Sequence, residues 1–156
     1  MKKEIINGGY DVIIHSAAVS DYKVDGIYID DEFNQGSPPV IPRACLDRLP
    51  NTGKQKSCYK ELFLRLVQTE KIVDKIRYDW GFNGVLVKFK LEVGIEDEEL
   101  IQIAKKSRVD SKADIIVANC LKWAKERAYV ITEDSVTNIQ RDLLPHYLYG
   151  EICRLF

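Results

Sequence analysis

The sequence predicts a three-layer α/β fold, in which a mostly parallel sheet carries helices on both faces and a long flap interrupts the pattern. Three observations lead there. Short β-branched runs alternate with segments of helical period. Two of those runs, "VII" before His15 and "IIV" before Ala118, stop abruptly in small or amide residues. Between Lys23 and Lys56 lies a stretch that fits no such unit and holds four of the five prolines and three glycines.

"KKEIINGG" reads as the last turn of a helix that ends at glycine, so the chain reads as starting inside an α/β unit. The first strand and phosphate-binding turn usual in nucleotide-binding α/β folds are not found in it. "YDVIIHSA" (10–17) is expected to be a buried strand. "LFLRLVQ" (62–68) alternates well enough for another. Thr69 then offers an N-cap for a helix with Ile72, Val73 and Ile76 on its apolar stripe. "GVLVKFKLEV" (84–93) has period two, with Val85, Val87, Phe89, Leu91 and Val93 on one face and Lys88, Lys90 and Glu92 on the other. "EDEELIQIAKKSR" (96–108) has acids in its first turn and bases in its last, which complements a helix dipole. Leu100, Ile103 and Ala104 give it an inward stripe that Ser107 continues. "ADIIVAN" (113–119) and "AYVIT" (128–132) read as strands. Asp142 can cap a last helix with Pro145 in its first turn and Leu144, Leu148 and Ile152 facing inward. The whole is a Rossmann-like arrangement on one domain, 1–156, with a flap at 23–57.

The bulk numbers fit a globular protein. Of 156 residues, 46% are hydrophobic and 30% charged, with a formal net charge of −1. Nothing advertises a nucleic-acid or membrane partner, and no apolar run approaches bilayer-spanning length. The N-terminus has no apolar signal region, so the cytoplasm is the default location. Cys45, Cys58, Cys120 and Cys153 have no CxxC spacing, and the two histidines, His15 and His146, do not cluster with them. Zinc is therefore not expected, and reduced thiols are.

In open α/β sheets ligands sit beyond the carboxyl ends of strands. Ser16, Ala17 and Ala18 follow the first such end, and small residues let a ligand approach the backbone. Asp21 can accept hydrogen bonds from a base or sugar, or help hold a metal ion. Asn119, at the second end, offers both a donor and an acceptor. The bland alternative is that the alanines pack under helices while Asp21 and Asn119 cap turns. If the site is real, the strands at 10–17 and 113–119 must be parallel, with Ala18 and Asn119 at one edge. Lys54 and Lys56 close the flap as possible point charges for a polyphosphate, or as solvated loop residues. "GK" at 53–54 is not a P-loop, because Gln55 follows where Ser or Thr is needed. GxGxxG and YxxxK are absent, which disfavours a nicotinamide enzyme. Phe89 serves the core or lies against a nucleotide base.

These pieces, in this order, resemble phosphopantothenate–cysteine ligase (phosphopantothenoylcysteine synthetase). The resemblance rests on "SAAVSDY" (16–22), "KQKS" (54–57), "LFLRLVQTEKIV" (62–73), "VKFKLE" (87–92), "IAKKS" (103–107) and "KADIIVAN" (112–119), and is nearest the stand-alone bacterial type. It implies that the carboxylate of 4′-phosphopantothenate attacks the α-phosphate of CTP, or of ATP in some relatives, with Mg²⁺ assisting. Cysteine then displaces the nucleotide. It implies that Ser16, Ala17 and Ala18 approach the phosphates, that Asp21 contacts the nucleoside, and that Lys54 or Lys56 meets the triphosphate. It places Ile72 and Phe89 in conserved nucleotide-binding stretches, and Lys54 and Asn119 among the groups that carry the reaction.

There are departures. Lys88 stands where the family has glycine, and Ser107 and Ser111 fall where fused bacterial enzymes place lysines, with Lys105, Lys106 and Lys112 nearby. The family's Gly-Gly-Thr turn and Asn-x-Ser-x-Gly segment have no counterpart in the sequence, so a separate N-terminal portion is an expected partner. A homodimer built partly from the flap is expected too. Two other readings stay open: a non-catalytic nucleotide-binding or dimer-assembly module, and an unrelated small α/β domain.

Overall fold

The computed structural model of the chain describes residues 1–29, 47–50 and 59–156. Lys54, Lys56 and much of the expected flap lie outside the described residues. The chain divides into two units, one formed by Met1–Ala18 with Lys71–Phe156 and the other by Val19–Glu70.

In the first unit, Ile115, Ile116, Val117 and Ala118 are fully buried, because their strand has neighbours on both edges and helices over both faces. The elements of this unit are α1 (Lys2–Asn7), β1 (Val12–His15), α2 (Ile72–Tyr78), β5 (Val85–Glu92), α3 (Asp97–Asp110), β6 (Ile115–Cys120), β7 (Arg127–Ile131), β8 (Val136–Gln140) and α4 (Leu144–Cys153). The sheet order is β1-β5-β6-β7-β8. β1 and β6 both run parallel to β5, β7 runs against β6, and β8 against β7. Four of the five strands thus share one direction, and the mostly parallel expectation holds.

Alternation divides the strands' side chains between two faces. Val85, Val87, Ile115, Val117, Ala128 and Val130 meet Leu144, Leu148 and Ile152 of α4 on one face. Ile116, Ala118 and Ile131 meet Leu100 and Ala104 of α3 on the other. There too, Leu86 and Ala113 meet Ile76 of α2, with Ile5 of α1 and Ile13 of β1 packed alongside. Each fully buried valine, leucine or isoleucine among them contributes about 1.5–3 kcal/mol by leaving water.

β1 is an edge strand, paired among the described residues with β5 alone, and Ile14 is 52% exposed, so the buried strand expected at 10–17 is not what forms. The reason is position in the sheet. β5 is central and covered on both faces, so Lys88, expected on the face opposite Val85 and Val87, is buried under the helices. α1 ends at Gly8, as expected, and Gly9 turns the chain with φ 58°. The expected side-chain caps do not form. α2 has Lys71 at its N-cap and α4 has Leu143, neither with a capping hydrogen bond. Thr69 instead gives its hydroxyl to the Ser20 carbonyl. Pro145 sits in the first turn of α4 as expected. β8 was not foreseen.

The second unit is a three-stranded antiparallel sheet of order β3-β2-β4, with β2 Tyr22–Ile29, β3 Asp47–Arg48 and β4 Phe63–Gln68. The strand expected at 62–68 is real, but its partner is β2 and not the parallel sheet. β2 itself falls where a flap without regular structure was expected. Its register slips between Val24 and Gly26, and that irregularity hides the alternation. Among the described residues no helix is long and apolar enough to cross a membrane.

Candidate functional site

The carboxyl ends of β1, β5 and β6 share one edge of the first unit's sheet, as a site built from 10–17 and 113–119 requires. Ser16, Ala17 and Ala18 continue β1 beyond that edge and are exposed. Asn119 lies one residue from the end of β6 and is only 7% exposed. Its Oδ1 is buried and has no hydrogen-bond partner among the described residues. An unpaired buried amide oxygen costs about 1–3 kcal/mol. A ligand that brings a donor to this edge recovers that loss.

Phe89 and Asn119 project from the same face of the sheet as α4. Val117 lies opposite Phe89, and Asn119 opposite Leu91, so the two are diagonal neighbours. Phe89 is half-buried against the core there. Ile72 opens α2, which covers the other face.

Asp21 belongs to the second unit. It stands just before β2, and its carbonyl accepts the Thr69 amide at 2.9 Å. Ser20 donates its hydroxyl to the Tyr22 carbonyl at 2.6 Å. The "SDY" segment is thus fixed against the end of β4, with the Asp21 carboxylate left exposed. Lys54 and Lys56 lie outside the described residues.

Sequence reasoning gave no role to two further groups. Lys88, 7% exposed, donates from Nζ to the Ser107 carbonyl at 3.0 Å, the Ser107 hydroxyl at 2.9 Å and the Ser111 hydroxyl at 3.1 Å. Burial pushes its ammonium below the usual lysine range. His15 lies opposite Lys88 in the β1–β5 ladder, and its Nε2 is buried without a partner among the described residues. Burial lowers its pKa, and the Lys88 charge adds to that. A lysine in the middle of a central strand, with serines four apart on the following helix, was the available signal.

A second cluster braces the carboxyl edge. Asp97, in the first turn of α3, accepts from Tyr129 at 2.7 Å and pairs with Arg127 at 2.8 Å. The Arg127 guanidinium stands 4.1 Å from the Trp123 ring centroid. The Tyr129 hydroxyl, and then Arg127, hold the Asp97 carboxyl below its usual value. Ala118 lies opposite Tyr129, so this cluster fixes the strand end that carries Asn119. A cavity of about 390 Å³ is lined by Arg108, Asp114, Glu133, Glu151 and Arg154 among others, and neither Asn119, Phe89, Lys88, His15 nor Asp97 lines it.

No protein-family profile matches the sequence. The chain is 30% identical over 142 residues to the coenzyme A biosynthesis bifunctional protein CoaBC of Thermococcus kodakarensis, covering 91% of this chain and 28% of that protein. It therefore spans well under a third of that relative's length. Its fold matches the DNA/pantothenate metabolism flavoprotein from Streptococcus pneumoniae with a TM-score of 0.73 at 28% identity, over 96% of this chain and 66% of that one. The C-terminal domain of a coenzyme A biosynthesis bifunctional protein CoaBC shares the fold, with a TM-score of 0.56 at 16% identity over 98% of this chain and 58% of that one.

Proposed function

We propose that this chain is a phosphopantothenate–cysteine ligase-type domain that activates the carboxylate of 4′-phosphopantothenate with CTP or ATP and joins it to cysteine. The carboxylate attacks the α-phosphate and pyrophosphate leaves. The cysteine amine then attacks the acyl carbon, the nucleoside monophosphate leaves, and the amine gives up a proton. No covalent enzyme nucleophile is needed, so the protein's task is positioning and charge stabilisation. Mg²⁺ belongs to the nucleotide substrate in this reading. Among the described residues no cluster of acids, histidines or cysteines is arranged to hold an ion by itself.

The observation that carries the reading is the buried Asn119 amide. Its unpartnered oxygen sits at the edge where Ser16–Ala18 also emerge, in a chain similar to a coenzyme A biosynthesis protein. Phe89 on the same face suits a nucleotide base. Asp21, Lys54, Lys56 and Ile72 enter as proposed nucleotide contacts.

The test is pyrophosphate release with 4′-phosphopantothenate, cysteine and either nucleotide, with the product identified by mass. Asn119→Ala should lower turnover by about 10²-fold, as for loss of one preorganised polar contact. No coupled product with either nucleotide would overturn the reading.

One observation favours a second reading, that of a dimer-assembly module. Tyr22, Val24, Leu64 and Leu66 are all more than half exposed on the second unit's sheet. A module of that kind would associate without turnover.

A further inference from the structure

We propose that the end of β1 is an oxyanion site, in which His15 engages a phosphate-type group and Lys88 supplies the buried charge behind it. The inference deepens the proposed ligase reaction and rests on it for the identity of the anion. Its test needs no turnover.

Lys88 is the first premise. All three of its hydrogen bonds end on neutral oxygens of Ser107 and Ser111. Among the described residues it forms no ion pair. Asp74 of α2 and Asp110 of α3 favour its charge, while Lys71 and Lys90 oppose it, and Lys90 is itself paired with Glu92 at 2.8 Å. A role in packing alone would be served as well by an apolar side chain of the same length. A buried ammonium without a carboxylate partner leaves a positive field that an anion can answer.

His15 is the second premise. It is the last residue of β1, and its partner across the ladder is Lys88. Its Nε2 is buried and has no hydrogen-bond partner among the described residues. The chain then continues into Ser16, Ala17 and Ala18, small and exposed, where a ligand can come close to the backbone. The Lys88 field repels a cationic ligand at this point and attracts an anionic one. An imidazole whose neutral form carries its proton on Nδ1 cannot donate to that anion through Nε2. When the oxyanion arrives it offsets the Lys88 charge, His15 takes one proton from solvent, and Nε2–H donates to the anion.

The sign follows. In the free protein His15 titrates below its ordinary value, and with the anion bound it titrates higher. Between those two values binding takes up a proton, so affinity falls as pH rises. Outside that window affinity is flat with pH.

The protein has two histidines, His15 and His146, so their imidazole signals can be followed by NMR with His146 as an internal reference. Sulfate is the first probe, since it has no titrating proton between about pH 5 and 8, where histidine changes charge. At saturating sulfate the His15 midpoint should rise by about one unit while His146 stays put, and sulfate affinity should fall up to about tenfold per pH unit inside the window. Pyrophosphate and ethyl phosphate, titrated separately, distinguish a nucleotide's phosphate chain from a terminal phosphate monoester as the natural source. Lys88→Met should raise the His15 midpoint in the free protein and weaken sulfate at least several-fold.

Three results would each overturn the proposal: no anion binding, a His15 midpoint unmoved at saturation, or equal sulfate affinity in Lys88→Met. If that variant fails to fold, the wild-type titration still decides. A moved His15 in a protein without ligase turnover would sink the proposed reaction and leave this site standing.

Discussion

An ammonium buried beneath two helices costs free energy that three neutral oxygens return only in part. For Lys88 this cost depends on pH in a definite sense. Its folded-state pKa is depressed below the unfolded value, so the folded chain gives up the proton first. The penalty is present in full below the folded value and is relieved as pH rises toward about 10.4, the unfolded lysine value. Chemical denaturation should therefore show stability rising with pH over that alkaline range, and Lys88→Met should remove part of the rise. Equal pH slopes for the two proteins would mean that Lys88 is charged and comfortable in the fold. Asp97 works in the opposite sense. Its folded pKa is lowered by Tyr129 and Arg127, so its contribution is present above about 3.9 and is lost as pH falls through the folded value. Asp97→Asn should cost about 1 kcal/mol near neutrality, discounted for partial exposure, and the difference from wild type should shrink in acid. Asp97 was legible as a helix-start acid. Its partners Arg127 and Tyr129 were not, because they come from β7, 30 and 32 residues on, and no local period connects them.

The elements most readable from the sequence were those whose local pattern agreed with their surroundings. α3 carried its charges at the correct ends, and β6 was a short β-branched run that the fold buries completely. β5 follows its period-two pattern, with Lys88 on the face opposite Val87, but a central parallel strand is covered on both sides, so the face that carries Lys88 is interior as well. β2 was missed because Gly26 and the slip beside it break the alternation, and because the prolines that follow lent the whole stretch a loop's composition. Of the candidate site, the strand ends were legible and came to one edge. The face each side chain takes was not, since that depends on register. One junction here is open to a direct test. Gly84 precedes β5, and a Cβ placed on it would stand 2.2 Å from the Asp11 carbonyl oxygen and 2.8 Å from its carbon. That same carbonyl accepts the Val85 amide at 2.8 Å, which starts the β1–β5 pairing. Backbone cannot swing aside as a side chain can, so Gly84→Ala should destabilise by about 2 kcal/mol or more. A thermal unfolding midpoint within a degree of wild type would show that β1 can shift outward at no cost.

For the whole chain, the exposed sheet face of the second unit poses the question of association. Val24 lies opposite Leu66, Tyr22 is the next residue along β2 on the same side, and Leu64 the next along β4. Together they put a contiguous apolar surface on one side of a small sheet. Apolar side chains that adjoin on one sheet face, rather than standing singly, form a surface that another protein can cover. A second copy of the chain is the partner to expect, since a self-complementary patch generates a closed two-fold dimer without any other component. Light scattering should accordingly give twice the chain mass at high micromolar concentration. Leu64→Glu with Leu66→Glu should give a monomer whose circular dichroism is unchanged, because both side chains are already exposed in the single chain and their replacement removes no core contact. The double variant also separates the two functional readings. If the protein is an assembly module, loss of the dimer removes its only activity. If it is a ligase whose site is complete within one chain, turnover per chain survives as the dimer dissolves. Should turnover vanish with the dimer while the fold persists, the site draws on a group from the second copy. An intact chain that stays monomeric at high micromolar concentration would leave the apolar face for a different partner and would sink the dimer.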